Sequence, residues 1–146
     1  MRFRPATRAD IPAVAALLAD DMLGRGRESA DLDPYYVAFD AMQNEGANHL
    51  IVGEFDGEVS ACYQITFISG LSLTATRRAQ IEGVRVAASL RGEGKGELLI
   101  RDAEARARAA SCGLLQFTSN RARPEAHRFY ERLGFTPSHI GYKKPL

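Results

Sequence analysis

The sequence predicts a mixed α/β fold, mostly antiparallel in its sheet, and three observations carry that expectation. Two strand-like runs, His49–Phe55 and Glu58–Ile68, are separated only by Asp56-Gly57, a pair suited to the positive φ angles of a tight hairpin. Arg78–Ala88 reads as another strand and is followed by a glycine-rich stretch, an Ala/Leu-rich helical run from Leu98 to Ala110, and an apolar run from Leu114 to Ser119. Strand, helix, strand implies a right-handed crossover, so those two strands should be parallel. Apolar residues at helical spacing, Val14, Leu17, Leu18 and Met22 near one end and Ala126, Phe129, Tyr130 and Leu133 near the other, add helices that should cover the sheet.

The remaining elements follow in chain order. Phe3 and its neighbours suggest a short first strand, and Thr7 caps a helix with Asp10 in its first turn, ending near Gly24. Gly24 to Asp33 is a polar connection; Asp33-Pro34 then opens a second helix in which Val37, Ala41 and Met42 face inward. Gly70 to Thr76 is a loop. Gly113 sits where a left-handed helix stop is expected, and Pro124 starts a last helix that Gly134 ends. Phe135 and Ile140–Tyr142 suggest closing strands.

Composition bounds the function classes. A chain of 146 residues fits one domain, residues 1–146, and such a domain buries about 70% of its unfolded surface. A hydrophobic content of 45%, a charged content of 25% and a net charge of +1 call for neither nucleic acid nor a membrane surface. The N-terminus has no signal-peptide pattern and no stretch is long enough to span a bilayer, so a cytoplasmic protein is expected. Cys62 and Cys112 read as free thiols, and no Cys/His spacing suggests a metal site. His49, His127 and His139 share no spacing, and Arg101, Arg106 and Arg108 alternate with Asp102 and Glu104 as on a solvated helix face.

The chemistry concentrates in Arg91-Gly92-Glu93-Gly94-Lys95-Gly96, between strand and helix. Glycines allow positive φ and close backbone approach, while a helix start offers unpaired N–H groups and the positive end of the dipole. A phosphate-bearing ligand fits such a stretch. It is not a Walker loop, because Lys95 is followed by Gly96 and no hydroxyl is placed for Mg²⁺. It is a poor dinucleotide fingerprint as well, since the spacing is Gly-x-Gly-x-Gly and antiparallel strands precede it.

Arg91-x-x-Gly94-x-Gly96, followed by a helix, a strand, Asn120 and Ala126-x-x-Phe129-Tyr130-x-x-x-Gly134-Phe135, resembles the GNAT superfamily of N-acetyltransferases. The resemblance covers nearly the whole chain and is most specific from Ile81 to Phe135. It implies a sheet of six to seven strands splayed at a central parallel pair, with about four helices on both faces. It also implies acetyl transfer from acetyl-CoA to a primary amine, without metal, by direct attack in a ternary complex.

Under that resemblance each residue acquires a role. Arg91, Gly92, Glu93, Gly94, Lys95 and Gly96 would cradle the CoA pyrophosphate through backbone N–H groups, with Arg91 and Lys95 adding charge. Val84, Arg85 and Val86 would hold the pantetheine arm by backbone hydrogen bonds, one N–H facing the thioester oxygen. Asn120 would contact the same arm; as a plain sequence feature it is equally a turn residue before Pro124. Tyr130 would donate to the departing sulfur, its alternative being an aromatic on a buried helix face, as Phe129 beside it is.

Glu82 is the candidate base for the incoming ammonium, on one strand side with Gln80, Val84 and Val86 unless a bulge intervenes. Its alternative is a solvated or salt-bridged strand residue. Glu28, Asp31 and Asp33 are fallback acids, or an ordered water serves. Arg121 and Arg123 either touch CoA phosphates or are simply exposed.

The acceptor, a small molecule or a peptide amine, would be shaped by Gly24–Asp33, Tyr35, Tyr36 and the loop Gly70–Thr76. Arg25, Arg27, Glu28 and Asp31 give the first of these mixed charge. A monomer and a homodimer are both compatible with the chain. A catalytically inactive acyl-CoA-binding sensor is the competing function, and a domain binding another phosphate ligand is a third.

Overall fold

The structure, a computed structural model, describes residues 1–20, 26 and 28–146. Met22, Gly24, Arg25 and Arg27 lie outside the described residues. The chain divides into two compact units, Met1–Gln116 and Phe117–Leu146.

The first unit contains β1 (Arg2–Pro5), α1 (Ile11–Ala19), α2 (Asp33–Glu45), β2 (Asn48–Phe55), β3 (Glu58–Ile68), a single turn α3 (Ser72–Ala75), β4 (Arg78–Val86), α4 (Lys95–Ala109) and β5 (Leu114–Gln116). The sheet order is β1-β2-β3-β4-β5; the first three pairings are antiparallel and β4–β5 is parallel. Asp56 and Gly57 take φ of 50° and 84°, the left-handed pair that a two-residue hairpin between β2 and β3 requires. Gly53 is needed for a different reason: a Cβ there would lie 2.8 Å from the Phe3 ring.

Alternation along the strands gives the sheet two faces. One carries Ile51, Tyr63, Ile65, Ala79 and Ile81, all buried, and meets Leu99, Ile100, Ala103 and Ala107 of α4. Full burial of a side chain such as Leu99 or Ile65 contributes about 1.5–3 kcal/mol. The Tyr63 hydroxyl donates to Asp102 of α4, and Arg106 donates to the same carboxylate at 2.8 Å, which fixes the helix on the strands. Burial, followed by the Asp102 hydrogen bond and charge, raises the Tyr63 phenol above its usual range and keeps it a neutral donor. The opposite face packs Val52 and Cys62 against Val14 and Leu17 of α1, with Leu18, Leu50, Val59 and Ala87 around them. Desolvation in that cluster pushes the Cys62 thiol up to about 12, although the nearby Arg85 charge opposes it.

The corner before α1 is self-contained. Asp10 is buried, accepts from the Thr7 N–H at 2.7 Å and its hydroxyl at 2.9 Å, and takes a bidentate pair from Arg4 at 2.7 and 2.8 Å. The Arg4 hydrogen bond, despite desolvation, holds this carboxyl well below the carboxylate range.

Three expectations need correction in the helices and strands. In α2 the inward residue is Phe39, while Val37 is 69% exposed and Ala41 is exposed too. Burying an aromatic removes more apolar area from water than Val or Ala does, so the helix turns that stripe to β2. The left-handed residue after α4 is Ser111, at φ 59°, rather than Gly113. Gly113 is small because a Cβ there would come within 3.1 Å of Thr76, and its N–H donates to the Arg77 carbonyl at 2.9 Å. The sheet has five strands among the described residues, not six or seven.

The second unit contains α5 (Pro124–Arg132), begun by Pro124 and followed by Gly134 at φ 88°. The closing strands expected at Phe135 and Ile140–Tyr142 are absent: residues 133–146 form no strand. Pro137 and Pro145 offer no N–H to a ladder, and Ile140 and Tyr142 are exposed, so the segment buries no strand face. Among the described residues no helix is long and apolar enough to cross a membrane.

Candidate active site

The strand β4 is regular as far as Glu82 and then breaks step. Gln64 of β3 faces Glu82, but Cys62 faces Arg85, so Gly83 and Val84 together oppose Tyr63. This is a β-bulge, and Gly83 supplies its positive φ of 58°. The bulge changes which residues share a face. Glu82 and Arg85 lie on the α1 side, whereas Val86, paired with Ala61, lies on the α4 side. The expected grouping of Glu82 with Val86 is therefore corrected; a glycine inside a strand pattern was the signal for it.

Glu82 is exposed and makes no ion pair or hydrogen bond among the described residues. Gln80, two residues back, accepts a 2.8 Å hydrogen bond from Gln116. These polar neighbours, with Gln64 and Asn48 (2.8 Å apart, Gln64 donating), form a row across the sheet that single-residue reading missed. Its sequence signal was the alternation Gln64-x-Thr66 and Gln80-x-Glu82 in otherwise apolar strands.

On its other edge β4 pairs with β5 only from Arg78 to Gln80. Beyond that, β4 stays paired to β3 as far as Val86, and Ala87 N–H reaches the Ser60 carbonyl at 2.8 Å. The backbone groups from Glu82 to Val86 that point away from β3 thus have no ladder partner in β5, whose last residue is Gln116. The chain leaves this open edge directly into the glycine stretch.

There Gly92 and Gly94 take φ of 83° and 74°, and a Cβ on either would meet nothing within 4 Å. Gly94 is the N-cap of α4 and provides no side-chain hydrogen bond, so the first-turn N–H groups have no side-chain cap. Lys95 and Gly96 are already helical, and Glu93 is exposed. Arg91 spends its side chain on the fold: Nη2 donates to the Asp20 carbonyl at 2.7 Å, and Nε to the Val86 carbonyl at 3.1 Å. The Lys95 ammonium stands 4.5 Å from the centre of the Phe55 ring.

The α1–α2 side offers Glu28, Asp31 and Asp33. Glu28 accepts from the Tyr35 hydroxyl at 2.6 Å, a bond that raises the Tyr35 pKa, and that hydroxyl also receives the Ser29 N–H at 3.0 Å. Asp31 accepts the Asp33 N–H at 3.1 Å. Tyr36 lies under the Arg8 guanidinium, 4.3 Å from the ring centre. In the turn after β3, Leu73, Thr74 and Ala75 all take positive φ, 53°, 56° and 57°, which is strained for side-chain-bearing residues.

Within the second unit, the Asn120 side chain accepts the Ala122 N–H at 2.9 Å, and its backbone carbonyl lies 2.9 Å from His127 Nε2. It is a turn residue there. Tyr130 belongs to an aromatic cluster, with ring centres 4.2 Å from Phe117, 5.1 Å from Phe129 and 5.9 Å from Phe135. Arg121 is exposed, and the Arg123 N–H donates to the Asn120 carbonyl at 3.2 Å. Among the described residues no group of three His, Cys, Asp or Glu side chains could hold a metal ion.

Known proteins resemble this chain in fold and in sequence. A transcriptional regulator from Bacillus halodurans C-125 superposes with a TM-score of 0.94 at 40% identity, over 99% of each chain. A candidate acetyltransferase from Agrobacterium tumefaciens strain C58 superposes with a TM-score of 0.88 at 25% identity, over 100% of both. An aminoalkylphosphonate N-acetyltransferase from Salmonella typhimurium is 37% identical over 67 residues, 46% of this chain and 44% of that protein, so the match spans less than half the relative's length. The sequence profile of the Acetyltransferase (GNAT) family matches residues 12–135. With a five-stranded mixed sheet, a bulged β4 and a glycine-led α4, the chain belongs to the GNAT family of acetyltransferases.

Proposed function

We propose that this protein transfers an acetyl group from acetyl-CoA to a primary amine by direct attack in a ternary complex. The observation that carries the reading is that a β4 edge unpaired by β5, with its Val84 and Val86 carbonyls already accepting from Arg85 and Arg91, runs straight into the start of α4. The β4 edge from Glu82 to Val86 lacks a partner in β5, and it runs into an α4 start whose first-turn N–H groups no side chain caps. A pantetheine arm would add hydrogen bonds to the first, and a pyrophosphate would accept from the second. Val84, Arg85 and Val86 serve the arm; Gly92 to Gly96 serve the pyrophosphate. Arg91 serves by bracing the loop, given its bonds to Asp20 and Val86.

In the reaction the amine nitrogen forms a bond to the thioester carbonyl carbon, the C–S bond breaks, and the sulfur leaves as thiolate. A Lys-like ammonium has a pKa of about 10.4, so a base must first remove a proton. Glu82 takes that role because its carboxylate is exposed and without a partner among the described residues. Glu28 is engaged by Tyr35 and suits the task less well.

For the second unit the proposal rests on the motif: Tyr130 donates to the departing sulfur and Asn120 holds its turn. A phenol near pKa 10 protonating a thiolate near 8.5 is uphill by about 2 kcal/mol, so Tyr130 stabilises the developing thiolate by a hydrogen bond rather than acting as a strong acid. Tyr130→Phe should slow turnover about tenfold or more while acetyl-CoA affinity stays within twofold; unchanged turnover removes Tyr130 from the mechanism.

The deciding experiment is release of CoA thiol from acetyl-CoA across a panel of amines: polyamines, aminoglycosides, amino acids and N-terminal peptides. The name of the Salmonella relative adds aminoalkylphosphonates to that panel. Thermal stabilisation by acetyl-CoA without thiol release from any amine would overturn the assignment.

A further inference from the structure

Asn120 and Tyr130 both belong to the second unit, and one side chain joins the segments that carry them. His127 Nε2 lies 2.9 Å from the Asn120 carbonyl oxygen. A carbonyl only accepts, so Nε2 carries the hydrogen of that bond. The same oxygen also takes the Arg123 N–H, at a longer 3.2 Å. The Asn120 side chain is oriented as well. Its Oδ1 accepts the Ala122 N–H at 2.9 Å, and because a backbone N–H only donates, the amide nitrogen is turned outward. That nitrogen makes no hydrogen bond among the described residues.

The helix α5 has no side-chain cap to fix its start. Pro124 has no N–H, and its first turn closes where the His127 N–H donates to the Arg123 carbonyl at 3.1 Å. Three residues further on, the Tyr130 ring centre stands 4.2 Å from that of Phe117. Phe117 with Tyr130 and Asn120 with His127 are therefore two ties, three residues apart on each segment and in opposite chain order. The ring contact alone would leave the Asn120 end free to swing about it; the hydrogen bond, being directional, holds that end. Asn120 is exposed and His127 half-buried, so water replaces the bond, once lost, at little cost to the fold.

We infer that His127 is a positioning residue for the acyl donor: its Nε2–H holds the Asn120 amide at a set distance from Tyr130. This rests on the acetyl-transfer reading above, under which the Asn120 amide meets the pantetheine arm and Tyr130 the departing sulfur of one donor molecule. Two groups that grip one ligand act together only while their spacing holds to about 0.5 Å. His127 acts through the turn and not on the reacting atoms.

The test measures thiol release against acetyl-CoA concentration, at a saturating level of the most active amine, for the parent, His127→Ala and His127→Gln. Loss of the Nε2 donor in His127→Ala should raise the acetyl-CoA KM about tenfold, with the thermal midpoint within about 3 °C of the parent. His127→Gln keeps an amide N–H at the same reach and should return KM to within about threefold of the parent. In an Asn120→Ala background His127→Ala should add less than about twofold, because the amide it positions is gone. A parent-like KM in His127→Ala, an equal defect in His127→Gln, or additive effects of the two alanines overturns the inference while acetyl transfer stands. If no amine releases thiol, calorimetric titration of CoA into the same three proteins separates the two readings. Binding weakened in His127→Ala and kept in His127→Gln supports the positioning role although the transfer reading fails. Equal affinity in all three overturns that role, and no binding to the parent overturns both.

Discussion

The turn that leads into α1 and the segment that leads into α4 treat their polar groups in opposite ways. Neither helix has a side-chain hydrogen bond from its N-cap residue, so the difference lies in what precedes each one. In the turn Arg8–Asp10 before α1 the chain answers with its own residues: Thr7 and Asp10 form a reciprocal cap, and Arg4 neutralises the Asp10 carboxylate. At α4 it answers with Gly94, which has no side chain to offer, and upstream Glu82 is left exposed without a counter-ion among the described residues. The first arrangement closes the polar account internally and stabilises the fold. The second leaves polar groups available to a ligand, as the proposed binding and catalytic role requires.

That contrast makes opposite demands of two carboxylates. Glu82→Gln should lower kcat about 100-fold below the pH at which the amine deprotonates by itself, with stability changed by less than about 0.5 kcal/mol. A pH–rate profile checks this, and a mutant that keeps the parent's rates across the profile takes Glu82 out of the reaction. Asp10→Asn should do the reverse, costing about 2 kcal/mol of stability in denaturant titration while the rate per folded molecule holds.

Acid separates the two further. Because the Arg4 bond depresses the Asp10 pKa in the folded state, its contribution is fully present above the ordinary carboxylate value of about 4 and is lost as pH falls below it. The parent should therefore lose stability between about pH 4 and pH 2 more steeply than Asp10→Asn, and parallel curves would mean that Asp10 is no such anchor.

The helix starts give a smaller effect. Valine at position 94 would have to adopt φ 74°, a strain of about 1–2 kcal/mol. Gly94→Val should weaken acetyl-CoA binding about tenfold by calorimetry, since the displaced N–H groups are the ones assigned to the pyrophosphate. Affinity at the parent level would show that α4 does not bind through its uncapped turn.

Local chemistry made much of this molecule legible in advance. The Asp56-Gly57 hairpin, the Thr7 cap with Asp10, Pro34 and Pro124 at helix starts, and the glycine stretch before α4 each depend on residues adjacent in sequence, where φ preferences and capping act directly. The face of α2 was not legible, because Val37, Phe39 and Met42 are all apolar and only packing against β2 decides that Phe39 is the one buried. Nor were the closing strands: Ile140 and Tyr142 have strand propensity, but a strand forms only where a partner offers a ladder.

For the site the division is sharper. The sequence alone determined that a strand, a glycine turn and a helix start succeed one another, because those preferences are local to Ile81–Gly96. Tertiary structure decided that Gly83 forms a bulge against Tyr63, that β5 stops at Gln116 and leaves the β4 edge open, and that Arg78, Gln80 and Glu82 share a polar face beyond the cover of α1. Register and burial are set by residues distant in the chain, and one inserted residue in a strand moves every later side chain to the other face.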